Sequence, residues 1–411
     1  MAIPLRWNLK LNYGIETRAD SLLNPAGARP RDARLDALRG VFLVIMAAVH
    51  VPTPLSHVFQ DAYGCNGAAE GFIFLSACLA GRVYGKTFRQ SGWTAMSRSV
   101  WKRSRLIYFV HLGVLLPVTL IAWALASKIP PLANHFSDFL VHPVGSLALM
   151  PLLLHQPPLF DILPLYVIFL AAMPCLFAFA RRRGWGILLA VSAAGWLGAQ
   201  FGWDTRFIHD PASLLPLRPG AFDFAAWQFL WMCGAAIGEK SLQGRVVPSS
   251  CRLAAGGAGL VIALGALYWR WGCYAPPSFS SDIYKWMDKW TLGPLRLLAF
   301  GGWTALLLSW NPRPPVRLLA PMALLGRHSL GVFAFHLPLV IIATTIVQML
   351  ALPNTWQVIV GALVIALLFP LAALLDRCKR QQAQGAPGIN VPNKQLQSPV
   401  ASRNAARTSI V

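Results

Sequence analysis

Long uncharged, apolar blocks alternate with short basic loops along most of the chain. Blocks of about 17–25 residues can cross a bilayer as helices. Ten blocks of this kind centre on 39–56, 67–84, 105–127, 160–180, 185–201, 222–239, 253–271, 293–310, 321–349 and 356–375. The run 146–154 is too short to cross and is expected to lie at the interface or to re-enter. The pattern predicts an all-α, polytopic integral membrane protein with about ten transmembrane helices.

The basic residues divide unevenly between the two sets of loops. If the N-terminus is cytoplasmic, the cytoplasmic segments hold 27 of the 36 Lys and Arg, and the opposite loops hold six. Cytoplasmic loops carry an excess of Lys and Arg, so both termini are expected in the cytoplasm. The chain then divides into a cytoplasmic tail 1–34, a membrane domain 35–376 and a cytoplasmic tail 377–411. The last segment has few large apolar residues and is expected to be disordered.

The composition changes this interpretation little. Charged residues make up 12% of the chain, whereas soluble domains carry about 25%. The net charge of +21 is attributed to topology, because no basic stripe with interleaved aromatic residues lies in a soluble segment. Nucleic acid is therefore not an expected partner. Seven cysteines without a CxxC spacing predict neither a disulfide framework nor a metal site.

Two ionisable residues flank the uncharged run of the first block. His50 follows Arg39 by eleven residues, a rise of about 16 Å in an α-helix. Arg39 would then lie near the cytoplasmic boundary and His50 about halfway across the bilayer. Ionisable groups at this depth are costly and usually functional, although Arg39 can snorkel and His50 can be a hydrogen-bonded core residue. Pro52 and Pro54 predict that the helix bends or ends there.

Glu70 opens the second block, at the end that lies beside the exit of the first block in this topology. A carboxylate that accepts a hydrogen bond from an imidazole orients the ring and stabilises the imidazolium. Glu70 is therefore predicted to orient His50 as a general base. The small residues around Glu70 also allow close helix packing, which is an alternative explanation of this segment.

Further polar residues lie in the later blocks and are candidates for substrate binding or for stabilising a tetrahedral oxyanion. They are Asp161 and Tyr166 in the fourth block, Trp227 and Gln228 in the sixth, Arg296 in the eighth, and Arg327, His328 and His336 in the ninth. His328 and His336 fall near one helical face. Two such histidines could bind a metal, but no acidic or thiol ligand accompanies them at metal-site spacing, so no metal is predicted.

Six segments carry a resemblance to a known family. They are RLDALRGVFLVIMAAVH, GAAEGFIFLSACLAGRVYG, LHQPPLFDILPLY, AAWQFL, GPLRLL and LGRHSLGVFAFH, in order from about Arg31 to Pro338. Together they closely resemble the OpgC-type family of osmoregulated periplasmic glucan succinyltransferases. That family looks like a branch of the multi-pass membrane acyltransferases with an Arg and a His eleven residues apart in the first span, which Arg39 and His50 match.

The resemblance implies a multi-pass enzyme of the bacterial inner membrane. It would move an acyl group, succinyl or alternatively acetyl, from cytoplasmic acyl-CoA to a hydroxyl of a periplasmic glucan or another surface glycan. His50 and Glu70 would be catalytic, and Arg39 with Asp36 would bind the acyl donor. Acyl-CoA would be a co-substrate rather than a bound cofactor, and the partners would be the bilayer, the donor and the glycan.

Two other functions remain alternatives at this point. A glycan transporter or flippase would also suit ten spans with charges near the midplane, but such proteins often contain two homologous halves, and spans one to five show no repeat in spans six to ten. A non-catalytic partner of the glycan synthesis machinery would not need His50. The sequence leaves open the acyl group, the acceptor, direct transfer against an acyl-histidine intermediate, and the oligomeric state.

Overall fold

A computed structural model describes residues 32–203, 217–243, 249–272, 285–310 and 315–385. Over these ranges the chain is helical, and no β-strand occurs in them. The α-helices are α1 Ala33–His50, α2 Pro54–Phe59, α3 Ala68–Leu125, α4 Pro130–His135, α5 Ser137–Val141, α6 Pro143–Leu149, α7 Ile162–Arg183, α8 Trp185–Gln200, α9 Phe224–Lys240, α10 Ser249–Leu267, α11 Pro294–Trp310, α12 Val316–Arg327, α13 Ser329–Met349 and α14 Asn354–Gly385. A 3₁₀ turn, Ser241–Gln243, follows α9, and a π-helical turn, Tyr268–Gly272, follows α10.

Several of these helices can cross a membrane by length and composition. Five candidates are Ala68–Leu125, Ile162–Arg183, Ser249–Gly272, Ser329–Met349 and Asn354–Gln382. Helix α8 is a shorter apolar helix. The protein is therefore an all-α membrane protein, as the apolar blocks predict.

Helix α1 begins and ends at residues whose local chemistry favours a boundary. The Asp32 side chain accepts a hydrogen bond from the Arg34 backbone N–H at 3.1 Å, which satisfies one free donor of the first turn. At the other end Val51 is extended, as expected for a residue before a proline. The helix therefore ends at His50, earlier than the predicted block 39–56, and the predicted effect of Pro52 is confirmed.

Helix α3 holds two of the predicted spans. Gly92 lies inside it with φ 79° and ψ −178°, which is not a helical conformation. Glycine tolerates a positive φ because it has no Cβ. The segments 68–91 and 93–125 correspond to the second and third predicted blocks.

The ninth predicted block is not a single span, so this part of the prediction is wrong. His328, with φ −105° and ψ 23°, separates α12 from α13. The 12 residues of α12 rise about 18 Å, too little to cross a hydrocarbon core of about 30 Å. Instead α12 packs along α1. Glycines permit this approach, since a Cβ added at Gly40 would lie 2.0 Å from the Met322 carbonyl oxygen, and one at Gly326 1.7 Å from that of Asp36.

The chain ends differ from the predicted domain limits. Helix α14 continues to Gly385, beyond the predicted end of the membrane domain at residue 376, so the start of the predicted disordered tail is helical. The predicted cytoplasmic tail 1–34 lies outside the described residues up to residue 31, and the predicted tail 377–411 lies outside them from residue 386 onward.

Candidate active site

His50 and His336 lie side by side where α1 and α13 meet. Nδ1 of His50 is 3.3 Å from Nε2 of His336, and the two rings are stacked with an interplanar angle of 17°. On its other side, Nδ1 of His336 lies 2.5 Å from the carbonyl oxygen of Phe333. His336 is buried, so its ring is held between the carbonyl and His50.

These contacts assign the protons of both rings. A carbonyl oxygen only accepts, so Nδ1 of His336 carries a proton and donates it to Phe333. In neutral His336, Nε2 is then an acceptor, and it receives the hydrogen bond from Nδ1–H of His50. The lone pair of His50 is left on Nε2, which is the form that a general base requires.

His50 lines a cavity of about 460 Å³, which lies in the size range of small-molecule sites. The cavity is bounded by α1, the segment between α2 and α3, and the segments before α7, α9 and α11. Besides His50, its polar and aromatic lining residues are Phe59, Gln60, Asp61, Asp138, Gln156, Asp161, Arg218, Phe222, Lys289 and Trp290. Carboxylates, amides and aromatic rings around a histidine suit a ligand rich in hydroxyl groups.

Most of the charges in this cavity have partners. Asp138 pairs with Arg218 at 3.3 Å, and Asp61 pairs with Arg296 at 2.6 Å. Asp161 accepts a hydrogen bond from the Ala221 N–H at 3.1 Å. Burial raises the pKa of Asp61 and of Asp161, while Arg296 opposes this for Asp61 and the backbone N–H opposes it for Asp161. Asp161, a candidate for substrate binding or oxyanion stabilisation, lines the same cavity as His50.

The predicted contact between Glu70 and His50 is wrong. Glu70 is fully buried, and its carboxylate pairs with Arg296 and accepts a hydrogen bond from the Gly67 N–H at 3.1 Å. A buried carboxylate is stabilised by a permanently charged guanidinium and by the free N–H groups at its helix N-terminus. A neutral imidazole cannot compete with these partners, and His50 pairs with His336 instead.

Arg296 joins three segments around the cavity rather than donating to an oxyanion. Its guanidinium pairs with Glu70 at the start of α3 and with Asp61 before it. Its Nε donates to the Met287 carbonyl oxygen at 3.1 Å. Through these bonds Arg296 positions one wall of the cavity.

Three other predicted site residues lie in the helix packing and do not line the cavity of His50. Trp227 is buried and donates from Nε1 to the Trp290 carbonyl oxygen at 2.9 Å. Gln228 exchanges hydrogen bonds with Ser192 of α8, at 2.6 Å and 2.7 Å. Tyr166 packs edge-on against Trp231 with ring centroids 5.0 Å apart. The structure therefore does not place these candidates for substrate binding or oxyanion stabilisation at the His50 cavity.

A second polar cluster lies at the other end of α1. Arg39 donates to the Ser329 hydroxyl at 2.5 Å and lies over the Phe72 ring at 5.8 Å. Asp36 is 4.0 Å from the Arg327 guanidinium. Arg327 also lines a second cavity of about 390 Å³, together with Asp376, Arg377 and Arg380.

His328 belongs to this second cluster, because its Nε2 lies 3.0 Å from the Asp376 carboxylate. Its expected alignment with His336 on one helical face is wrong, since the helix breaks at His328. Eleven residues of α1, about 16 Å of helix, separate the level of Arg39 from His50. Arg327 and His328 therefore lie too far from His50 to stabilise an oxyanion there.

The model of the OpgC protein family matches residues 31–380, which is most of the chain. The chain belongs to the OpgC protein family. The resemblance of the six segments is thereby confirmed. No curated protein and no solved structure matches the chain. In this OpgC family member, the matched range contains both the His50 cavity and the second cluster.

Lys289 and Trp290 are among the cavity residues of this OpgC family member that sequence reasoning missed. Both lie on the loop 285–293 before α11, and the ammonium of Lys289 lies 5.0 Å from the Trp290 ring and 5.8 Å from the Phe222 ring. A Lys–Trp pair in a loop opposite the basic loops is the one signal that the sequence offers. It does not reveal that the loop borders the same cavity as a histidine of α1.

Proposed function

We propose that the chain is a membrane acyltransferase that moves a succinyl group from acyl-CoA to a hydroxyl of a periplasmic glucan. The observation that carries this proposal is the His50–His336–Phe333 arrangement, which leaves the Nε2 lone pair of a histidine at a cavity with polar and aromatic walls. Membership of the OpgC protein family supports the same activity.

The transfer needs a base because a sugar hydroxyl is a poor nucleophile. Nε2 of His50 takes the hydroxyl proton while the hydroxyl oxygen attacks the thioester carbonyl carbon. The tetrahedral intermediate then collapses with cleavage of the carbon–sulfur bond, and the imidazolium returns the proton to the leaving thiolate. His336 accepts a hydrogen bond from Nδ1–H of His50 throughout, so it holds the ring orientation and contributes as a positioning residue.

The cavity supports a glycan as the acceptor. Asp61 and Asp161 offer carboxylate oxygens, and Gln60 and Gln156 offer both donors and acceptors to hydroxyl groups. Trp290, which is exposed, presents an aromatic face of the kind on which the apolar face of a sugar ring packs. These groups would orient one hydroxyl toward His50.

The second cluster is the proposed donor site. Arg39 presents a planar guanidinium, the group best suited to the phosphates of CoA. Arg327, Arg377 and Arg380 line the second cavity and add positive charge, and Arg327 lies at the same end of α1 through its contact with Asp36. Asp36 would hold Arg327 in place, at 4.0 Å. The pantetheine arm would follow α1 from this cluster for about 16 Å and bring the thioester to His50.

The proposed topology has ten spans in the bacterial inner membrane and both termini in the cytoplasm. Two pairs support it, because Arg39–Ser329 and His50–His336 make α1 and α13 run in the same direction. The His328–Asp376 contact brings the end of α14 to the same side as the start of α1. Reporter fusions at 205–215 and 280–290 should read periplasmic, and fusions at 90–95 and after 385 cytoplasmic. An inverted reading at any of these places would contradict the topology.

The activity is tested with the full chain reconstituted in lipid vesicles. Succinyl-CoA is supplied on the side of the vesicle membrane that carries the second cluster, and a periplasmic glucan is supplied on the other side. Succinylated glucan is then detected by mass spectrometry. His50→Ala should abolish transfer, while His57→Ala, a control at an exposed histidine of α2, should not. Undiminished transfer by His50→Ala would refute the proposal. Transfer of acetyl but not succinyl from the matching donor would assign the chain to O-acetylation instead.

A further inference from the structure

We propose that Lys289 binds the free carboxylate of a dicarboxylic acyl group and thereby selects an anionic acyl donor. This proposal rests on the proposed function, since it concerns the acyl group that His50 is proposed to transfer. It assigns a specificity role to a residue of the loop 285–293.

The first support is that the other charged groups of the cavity are already engaged. Arg218 pairs with Asp138, and Asp61 pairs with Arg296. Within the described part of the chain, the ammonium of Lys289 forms no ion pair and no hydrogen bond, and its contacts are the faces of Phe222 and Trp290. Aromatic faces attract an ammonium but leave its charge uncompensated.

The second support is where this charge lies. Lys289 lines the same cavity as His50, Asp61 and Asp161. The residue is half-buried, where charges interact more strongly than in bulk water. A ligand made only of neutral hydroxyl groups does not require such a cation, whereas a carboxylate brought into this cavity does.

The third support is the direction of the acyl chain. The donor is proposed to reach His50 from the Arg39 end of α1, so the CoA part lies behind the thioester and the acyl chain points ahead into the cavity. The far end of that chain then enters the space that Lys289 borders. A dicarboxylic acyl group carries its free carboxylate at that end.

The loop that carries Lys289 is also firmly held. Trp196 of α8 donates to the Leu292 carbonyl oxygen at 2.9 Å, and Gln200 donates to that of Thr291 at 2.7 Å. Trp227 donates to the Trp290 carbonyl oxygen. A group positioned before the ligand arrives loses less entropy on binding, which suits a selectivity determinant.

The test compares two donors that differ only in charge, succinyl-CoA and succinamyl-CoA, in which an amide replaces the free carboxylate. The quantity measured is the kcat/KM for succinyl-CoA divided by the kcat/KM for succinamyl-CoA, with the same glucan as acceptor. Lys289→Met should lower this ratio about 10- to 100-fold, because hydrogen bonds to charged groups contribute about that much to affinity. Lys289→Arg should retain most of it, and Lys285→Met, at an exposed lysine of the same loop, should leave it as in the unaltered protein.

A fall of equal size for both donors would overturn the proposal, because Lys289 would then serve the reaction or the fold in general. An unaltered ratio in Lys289→Met would overturn it too. If Lys289→Met does not fold, the unaltered protein still tests the proposal, because the proposal requires that its kcat/KM be higher for succinyl-CoA than for succinamyl-CoA. Equal use of the two donors, with transfer that His50→Ala abolishes, would refute the role of Lys289 alone, whereas His50-independent transfer would refute the proposed function.

Discussion

The role of His336 leads to a prediction whose size follows from the geometry. Replacing His336 by Leu removes the acceptor 3.3 Å from Nδ1 of His50 and leaves a donor without a partner. An unsatisfied buried donor costs about 1–3 kcal/mol. The tautomer with the proton on Nε2, which cannot take a proton from a hydroxyl in the cavity, is then stabilised relative to the Nδ1–H tautomer by that amount. The kcat of acyl transfer should therefore fall about 5- to 150-fold, with little change in the KM for the donor.

Glutamine at the same position separates this effect from simple loss of packing. The side-chain carbonyl of His336→Gln can accept from Nδ1–H of His50, so this variant should recover much of the rate that His336→Leu loses. The assay is the initial rate of succinyl transfer at saturating donor, with thermal unfolding in detergent as the check on folding. Equal losses in the two variants, with unchanged unfolding temperatures, would refute the positioning role.

Three further predictions concern the cavity wall, the helix contact and the donor site. Arg296→Met should lower the free energy of unfolding by about 3–5 kcal/mol, because it leaves buried Glu70 unpaired. Adding Glu70→Gln should restore part of the lost stability, and an unfolding temperature that does not recover would contradict this prediction. Gly326→Ala should lower the unfolding temperature because its Cβ would lie 1.7 Å from the Asp36 carbonyl oxygen, while Gly113→Ala, with nothing within 4 Å, should not; equal effects of the two would argue against the close approach of α12. Arg39→Lys keeps the charge but loses the planar fork, so it should raise the donor KM more than it lowers kcat, and an unchanged KM would exclude Arg39 from the donor site.

The ion-paired cluster of Arg296, Glu70 and Asp61 changes how the polar residues of the spans are interpreted. An ionisable residue within an apolar block is usually functional. Arg296, however, acts on the site only through the segments that it holds in place. Arg296 and Trp227 contact the loop 285–293 or its neighbours and do not line the cavity. Their contribution is to hold Lys289 and Trp290 in place.

Local properties of the sequence were enough for the helical membrane class and for several boundaries. A long apolar block indicates that its segment lies in lipid, and this conclusion does not depend on which other segments it contacts. Pro52 ends α1 through its own missing N–H and ring, so the position of His50 at the helix end was also predictable. The family followed from short motifs in a fixed order, which residues 31–380 bear out.

The partners of the site residues depended on the tertiary structure. Glu70 is 20 residues from His50 in the chain, yet His50 pairs with His336, 286 residues away. Which face of each helix turns toward a neighbour is set by packing, as where Gly40 and Gly326 bring α12 against α1. The hydropathy of a segment does not determine this rotation of the helix about its axis. The break at His328 and the place of Lys289 were hidden for the same reason, because each depends on contacts between segments far apart in the chain.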